Sequence, residues 1–242
     1  MRPRLWLRRL IRQLGYDLHS LPIYRLTLRD LEFDLPVLIG HSKPVVIDVG
    51  ANKGQTIDLL RRTLAKPRIF SFEPNPTLAI GLEQKYSAYG VMVEAMAVGS
   101  SEGISLLNVL ENNELSSILE LQRNDTNPFS DTLVREVISV PITTIDSYAE
   151  RQNLTHIDLL KIDTQGFDLE VLRGAAKTLR RRAVDNLLVE VNFASLSKGQ
   201  GSFGDIEQFL ADKGYGLLTL YEVVRSNFCI RWATACFRQV SR

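Results

Sequence analysis

The residues best equipped for chemistry in this chain are carboxylates that recur at the ends of β-rich runs. Asp48 lies in Val45-Val46-Ile47-Asp48-Val49, and Glu73 follows Arg68-Ile69-Phe70-Ser71-Phe72. Asp163 follows Ile157 to Ile162, and Glu190 sits near the end of Leu187 to Val191. After the first run comes Asp48-Val49-Gly50-Ala51-Asn52-Lys53-Gly54, a glycine loop leading into a helix-period segment. Gly50 permits a sharp exit from a strand and lets a ligand approach the backbone. Glu73 stands where a carboxylate can accept both hydrogen bonds of a ribose diol. Dinucleotides and S-adenosylmethionine share this layout, and three details favour the second. The dinucleotide fingerprint asks for glycine at its first, third and sixth positions, where this loop has Gly50, Asn52 and Gln55. Asp48 would repel a pyrophosphate but attract an ammonium and a sulfonium. Gly54 keeps the start of the helix slim where the methionine end would lie.

Methyl transfer is an in-line displacement on an activated leaving group, so much of its catalysis is proximity and orientation. A hydroxyl acceptor is a poor nucleophile and calls for a general base or a metal. In an open parallel sheet the site lies beyond the carboxyl ends of the strands. That selects Asp163 as the first candidate base and Glu190 as the second acid, with Asp168 as a third candidate. Lys161 is on the same strand face as Asp163, so a buried ion pair that weakens the base is the competing reading. Asp163, Glu190 and water are compatible with Mg²⁺, a hard cation that suits carboxylates, although no spacing assigns a metal. His41 and His156 precede strands and so fall at the amino end of the sheet; His19 is in the N-terminal segment. Structural or surface roles are expected for all three. Cys229 and Cys236 are expected as buried thiols, because two cysteines make no disulfide scaffold and no CxxC pair is present.

The elements that must position these residues are legible in outline. From about residue 44, β-branched runs alternate with helix-period runs, as in Ile57, Leu60 and Leu64. Pro74-Asn75-Pro76 supplies an N-cap and an N1 proline for a helix carrying Leu78, Leu82 and Tyr86, and Val91 to Ala97 follows as a third strand. This βαβαβ alternation predicts a parallel sheet with helices on both faces. Ile104 to Leu110 and Val137 to Ile142 read as an antiparallel excursion enclosing a polar loop. A helix with Leu169, Leu172, Ala176 and Leu179 on one stripe follows the fourth main strand. Ser202 and Asp205 form a capping-box pattern, and Leu217 to Tyr221 and Trp232 to Phe237 close the chain. Two regions are expected, a basic N-terminal helical extension over 1–40 and a cofactor-binding domain over 41–242.

Within that extension Arg2, Arg4, Arg8, Arg9 and Arg12 accompany Leu7, Leu10, Ile11 and Leu14 at helical spacing. Such a helix packs its leucines on the domain, or lies on anionic lipid as a peripheral contact through residues 1–20. The whole chain of 242 residues balances 29 basic against 28 acidic side chains, which argues against nucleic acid as a partner. No apolar run reaches the roughly 18 to 20 residues that span a bilayer, and a cytoplasmic location, in places at the inner membrane face, is the expectation.

In combination, Val46-Ile47-Asp48-Val49-Gly50-Ala51-Asn52-Lys53-Gly54, Phe72-Glu73-Pro74, Ile157-Asp158-Leu159-Leu160-Lys161-Ile162-Asp163-Thr164-Gln165-Gly166 and Val171-Leu172-Arg173-Gly174-Ala175 resemble the FkbM-type methyltransferases. The likeness covers about residues 40 to 240. It implies an α/β, class I (Rossmann-like) methyltransferase fold: a mostly parallel seven-stranded sheet with helices on both faces. It also implies S-adenosylmethionine as cofactor and a small-molecule hydroxyl acceptor on a sugar, glycolipid or polyketide-type product. Carried over by position, Asp48, Gly50, Asn52 and Gly54 form the cofactor loop, Glu73 holds the ribose and Ala97 lies near the adenine. Ser116 and Ser117 match a serine pair of the family. Gln165 stands where many relatives have glutamate, and the closing strand lacks an aspartate that they often carry. A non-catalytic protein of the same fold binding lipid or a partner, and an NAD-dependent oxidoreductase, are the alternatives.

Overall fold

The β-branched run at the heart of the sequence becomes the centre of a seven-stranded sheet in the computed structural model, which describes residues 26–123, 127–226 and 228–240. β1 (Val45–Val49) pairs in parallel with β2 (Arg68–Phe72) on one side and β7 (Ile157–Ile162) on the other. β3 (Met92–Glu94) extends the sheet beyond β2, and β8 (Val184–Asn192) extends it beyond β7, both in parallel. β10 (Cys229–Gln239) then runs antiparallel between β8 and β9 (Tyr215–Ser226). The spatial order β3-β2-β1-β7-β8-β10-β9 leaves one strand running against six. Strand order reverses at β1/β7, which opens a crevice at their carboxyl ends where open α/β sheets bind ligands.

Alternate residues of the central strands feed two apolar layers, as expected where both faces are covered. Ile47, Phe70, Phe72 and Leu160 face α4 (Ile145–Arg151), α5 (Asp168–Gly174), α6 (Ala176–Arg180) and α7 (Phe203–Ala211). Val46, Ile69, Leu159 and Leu188 face α1 (Leu31–Ile39), α2 (Gln55–Thr63) and α3 (Pro76–Tyr86). The start signals act as read from the sequence. Asn75 caps α3 by accepting from Thr77 N with Pro76 at its first position, and Ser202 and Asp205 make a reciprocal capping box on α7.

Two elements divide where the sequence suggested continuity. The run Val91 to Ala97 breaks at Ala95, so β3 stays in the main sheet while β4 (Ala97–Val98) joins another. There it pairs in parallel with β6 (Val134–Thr143), which pairs antiparallel with β5 (Gly103–Leu110); the excursion is thus a separate three-stranded sheet. The stripe from Leu169 to Leu179 splits into α5 and α6 at Ala175. Beside the break, Gly174 lies against the Gly99 carbonyl so closely that any side chain there would collide with it.

The N-terminal basic stretch with its lipid reading, and His19, lie in residues 1–25, outside the described residues. From Leu26 onward the expected extension packs with the sheet. Leu35 is fully buried, and the buried Asp34 carboxylate accepts from Thr27 N, Thr27 Oγ1, Leu28 N and, across the molecule, Tyr221 OH at 2.8 Å. Among the described residues no helix is long and apolar enough to cross a membrane.

Candidate functional site

The crevice is built by the loop leaving β1. Gly50 N and Ala51 N both donate to Phe72 O, and Asp163 N donates to Val49 O, each at 3.0 Å, so the ends of β1, β2 and β7 are laced together. Gly50 has φ +83°, and a Cβ there would collide with the Asp163 carbonyl; only glycine fits. Asn52 also takes the left-handed conformation, φ 50°, which turns its N–H toward Glu73. Glu73 Oε2 accepts from Asn52 N at 2.7 Å, and Oε1 accepts from Asn75 N at 2.9 Å. Glu73 is buried. Burial pushes its carboxyl pKa up against the pull of the two N–H groups, and the Asp48 charge adds to the rise. Each oxygen keeps a lone pair for a further donor.

These residues wall a cavity of about 660 Å³, part of it open to solvent. Gly50, Asn52, Glu73 and Ala97 line it, with Phe72, Met96 and Phe167 among the apolar walls. Asn52 Oδ1 is buried there with no hydrogen-bond partner. A buried acceptor left unpaired costs about 1–3 kcal/mol, so it marks a place where a ligand donor is welcome. Carboxylate, free amide oxygen and apolar walls suit an adenosine: a diol for Glu73 and a flat ring for the rest.

Two of the expected loop contacts fall elsewhere. Asp48 is fully buried beneath the loop and does not line the cavity. Its Oδ2 accepts from Ser71 Oγ at 2.9 Å, and its Oδ1 pairs with Lys161 Nζ at 3.3 Å. Gly54, the left-handed N-cap of α2, faces Tyr86: its carbonyl accepts from the Tyr86 hydroxyl at 3.0 Å, and a side chain would strike that hydroxyl. Asp48 thus spends its carboxylate on Ser71 and Lys161, and Gly54 serves helix packing.

Lys161 links the cofactor loop to the acids. Its ammonium donates to Gly50 O at 3.0 Å and lies 3.6 Å from Asp163 Oδ2. Burial works against its charge, but Asp48 and Asp163 outweigh this and hold its pKa above the ordinary lysine value. Gln165, at φ 56°, places Nε2 between the two candidate acids, donating to Asp163 Oδ1 at 2.9 Å and Glu190 Oε2 at 3.3 Å. Burial, then the charges of Asp163 and Asp168, push the Glu190 pKa well above the usual carboxylate range. The space between Asp163 and Glu190 is thus occupied by hydrogen-bond donors, an ammonium and an amide. That arrangement does not fit Mg²⁺, which needs oxygen ligands facing it.

Asp168 has a different task from Asp163 and Glu190. Its Oδ1 accepts from Thr164 N and Oγ1, and its Oδ2 accepts from Gly166 N, so it ties the turn that aims Gln165. Burial, then Asp163, raise its pKa to about 6. Ser117 Oγ donates to Thr164 O and Gln165 O of the same turn, and Ser116 Oγ accepts from Leu110 N; both line the cavity. Lys53 Nζ meets Glu114 Oε1 at 3.0 Å, joining the glycine loop to the segment after β5 that lines the cavity. The Gln165–Glu190 contact and this ion pair join separate segments of the chain, so no local pattern announces them. The residue type of Gln165, beside two acids at the end of a strand, was the available signal. The cysteines divide: Cys236 is buried, with its thiol pushed up to about 12 by burial, whereas Cys229 is exposed.

A model described as the methyltransferase FkbM domain matches residues 48–217. The 2-O-methyltransferase NoeI of Sinorhizobium fredii is 24% identical over 60% of this chain, and the match spans 62% of that protein, less than two thirds of its length. The methyltransferase sdnD of Sordaria araneosa is 27% identical over 81% of this chain and 82% of its own. Among solved structures, a TehB-like SAM-dependent methyltransferase from Corynebacterium glutamicum aligns with 96% of this chain and 94% of its own at 13% identity, with a TM-score of 0.46.

Proposed function

Since this chain belongs to the FkbM methyltransferase family and is an S-adenosylmethionine-dependent methyltransferase, we propose that it methylates a hydroxyl oxygen of a small molecule, with a sugar, glycolipid or polyketide-type product as the acceptor class. The observation that carries this reading is the pair of acids, Asp163 and Glu190, gathered around Gln165, with Asp163 and Gln165 lining the cavity that holds Glu73 and Glu190 lining the depression beside it. A carboxylate placed to take the proton is what a hydroxyl, a poor nucleophile, needs. The likeness to NoeI, a 2-O-methyltransferase, supports the oxygen target.

When bound, S-adenosylmethionine supplies an electrophilic methyl carbon on a sulfonium. Glu73 would take the ribose hydroxyls, and Asn52 Oδ1 would accept a donor from the same ligand. Met96, Ala97 and Phe167 would enclose the adenine and keep water from it. Asp163 and Glu190 also line a second depression with Gly50, Lys161, Glu222 and Thr234, which gives the acceptor its approach. Glu190 in its ionised form takes the hydroxyl proton; burial makes that carboxylate a stronger base and also harder to ionise, so this role belongs to the alkaline side of its raised pKa. Asp163, restrained by Lys161 and Gln165, orients the hydroxyl in line.

Calorimetric titration with S-adenosylmethionine and S-adenosylhomocysteine, with NAD as control, tests the cofactor half. One-to-one binding of the first two alone is expected. Radiolabelled methyl transfer to a panel of glycosylated and amine acceptors tests the other half. Label in amines and not in hydroxyls would overturn the oxygen assignment while leaving the methyltransferase intact.

A further inference from the structure

The sheet carries a second cluster of chemically capable side chains at its amino edge, opposite the crevice. His41 precedes β1, His156 and Asp158 begin β7, and Asp185 begins β8. Sequence reading set both histidines aside as surface residues; the fold brings them to one carboxylate. Asp158, buried at the centre, accepts from Val45 N with Oδ2 at 2.7 Å, which fixes its plane. Its Oδ1 lies 2.6 Å from His41 Nε2 and 3.4 Å from His156 Nε2. His156 Nε2 is also 3.2 Å from Asp185 Oδ2, and one ligand atom from each of His156, Asp158 and Asp185 lies within 4.8 Å of the others.

We propose that His156, Asp158 and Asp185 form a binding site for a divalent transition-metal cation of the zinc class, with His41 as the partner that orients Asp158. The spacing is the first argument. Ligand bonds of about 2.0–2.1 Å in a tetrahedron put neighbouring ligand atoms about 3.3–3.4 Å apart. The His156 contacts with the two carboxylates, 3.4 and 3.2 Å, are close to that edge length and long for charge-assisted hydrogen bonds. The second argument is chemical. His156 Nε2 faces a carboxylate oxygen on each of two sides, where its bare lone pair would be repelled. A single N–H would be shared between the two oxygens in a bent three-centre bond, whereas one metal ion faces all three atoms. The mixed nitrogen and oxygen donor set suits zinc, and oxygen-only cations such as Mg²⁺ would leave His156 idle.

His41 completes the arrangement. At 2.6 Å from Asp158 Oδ1 it is at hydrogen-bond distance, the usual relation of a supporting group to a ligating carboxylate. The two carboxylates bring two negative charges, which a divalent cation balances. Lys43 and Arg68 border the same depression, but the Arg68 guanidinium lies over the Phe70 ring at 4.7 Å. The surface is open on one side, so a fourth position is left for water. Because the ligands come from the starts of two adjacent strands, with the approach to a third beside them, the site is structural: it clamps the edge of the sheet remote from methyl transfer.

The test uses the untagged full chain stripped with chelator. Titration with Zn²⁺ by calorimetry is expected to show one equivalent bound. At a hundredfold excess over Kd the melting temperature should rise by roughly 5 °C or more. Co²⁺ in the same place should give visible d–d absorption without a thiolate charge-transfer band, which separates the site from the exposed Cys229. His156→Ala and Asp185→Asn should each weaken binding at least tenfold, and His41→Ala should weaken it less; Asp185→Asn is near-isosteric on the surface and guards against a misfolded first variant. Mg²⁺ should produce no shift. Absence of saturable Zn²⁺ binding, or binding unchanged in both ligand variants, would overturn the site, and neither result would bear on methyl transfer.

Discussion

At the scale of single residues, the decisive feature is how differently the carboxylates of one crevice are held. Glu73 spends one lone pair of each oxygen on a backbone N–H and keeps the others. Glu73→Gln retains one acceptor for those N–H groups, so it should fold and bind S-adenosylmethionine roughly tenfold more weakly, as loss of a charge-assisted hydrogen bond implies. Titration calorimetry on the variant reads this directly. Glu190 is the opposite case, since burial and neighbouring acids make its ionisation harder in the folded protein than in the unfolded chain. Its contribution to stability is complete below the ordinary glutamate pKa of about 4.3 and is lost as pH rises through the raised folded-state value. Glu190→Gln should therefore melt higher than the parent at about pH 8, with the gain shrinking toward about pH 5. The same substitution should lower kcat by roughly 10²-fold or more with little change in cofactor affinity. A stable variant with full kcat would remove Glu190 from the chemistry.

The elements carry their own constraints, and these rest on close approaches more than on propensity. β1 and β7 meet at Gly50 and Asp163 with no space for a methyl group. Gly50→Ala adds a left-handed non-glycine residue to a backbone clash, so a loss of more than about 3 kcal/mol is expected, with loss of the folded state at moderate temperature. Thermal circular dichroism would show it. The α7 cap is a milder case. Ser202→Ala removes one side of the capping box at the surface and should cost about 1 kcal/mol, or a fall of roughly 2–4 °C in Tm. An equal fall for both variants would mean that the strand junction yields more readily than its geometry implies.

Across the whole molecule, α1 is fastened to the far edge of the sheet through Asp34 and Tyr221, which are distant in sequence and fully buried together. Tyr221→Phe leaves the Asp34 carboxylate one donor short in a dry setting, and about 1–3 kcal/mol should be lost. Because α1, α2 and α3 share one apolar layer with β1 and β9, that loss is expected to lower a single cooperative transition and not to release a separate early step. Calorimetric and spectroscopic melts that coincide would bear this out. Two separate transitions would mean that α1 unfolds independently of the sheet.

Local pattern determined much about this protein. The β-branched runs, the Asn75 and Ser202 caps and the Gly50 turn each follow from short-range chemistry, so strand and helix positions were readable one segment at a time. The placement of the glycine loop beside Glu73 was readable too, since a strand, a left-handed turn and an acid after the next strand need no knowledge of distant partners. Tertiary structure alone decided what each acid does. Asp48 was expected at the ligand and is buried against Lys161, because the β1–β7 register sets them side by side. Gln165 meets Glu190 across the β7–β8 pairing, and His41 reaches Asp158 from 117 residues away in sequence, contacts that no single segment specifies. Burial, charge partner and available lone pair are properties of a three-dimensional neighbourhood, and a residue type carries none of them until the chain has closed around it.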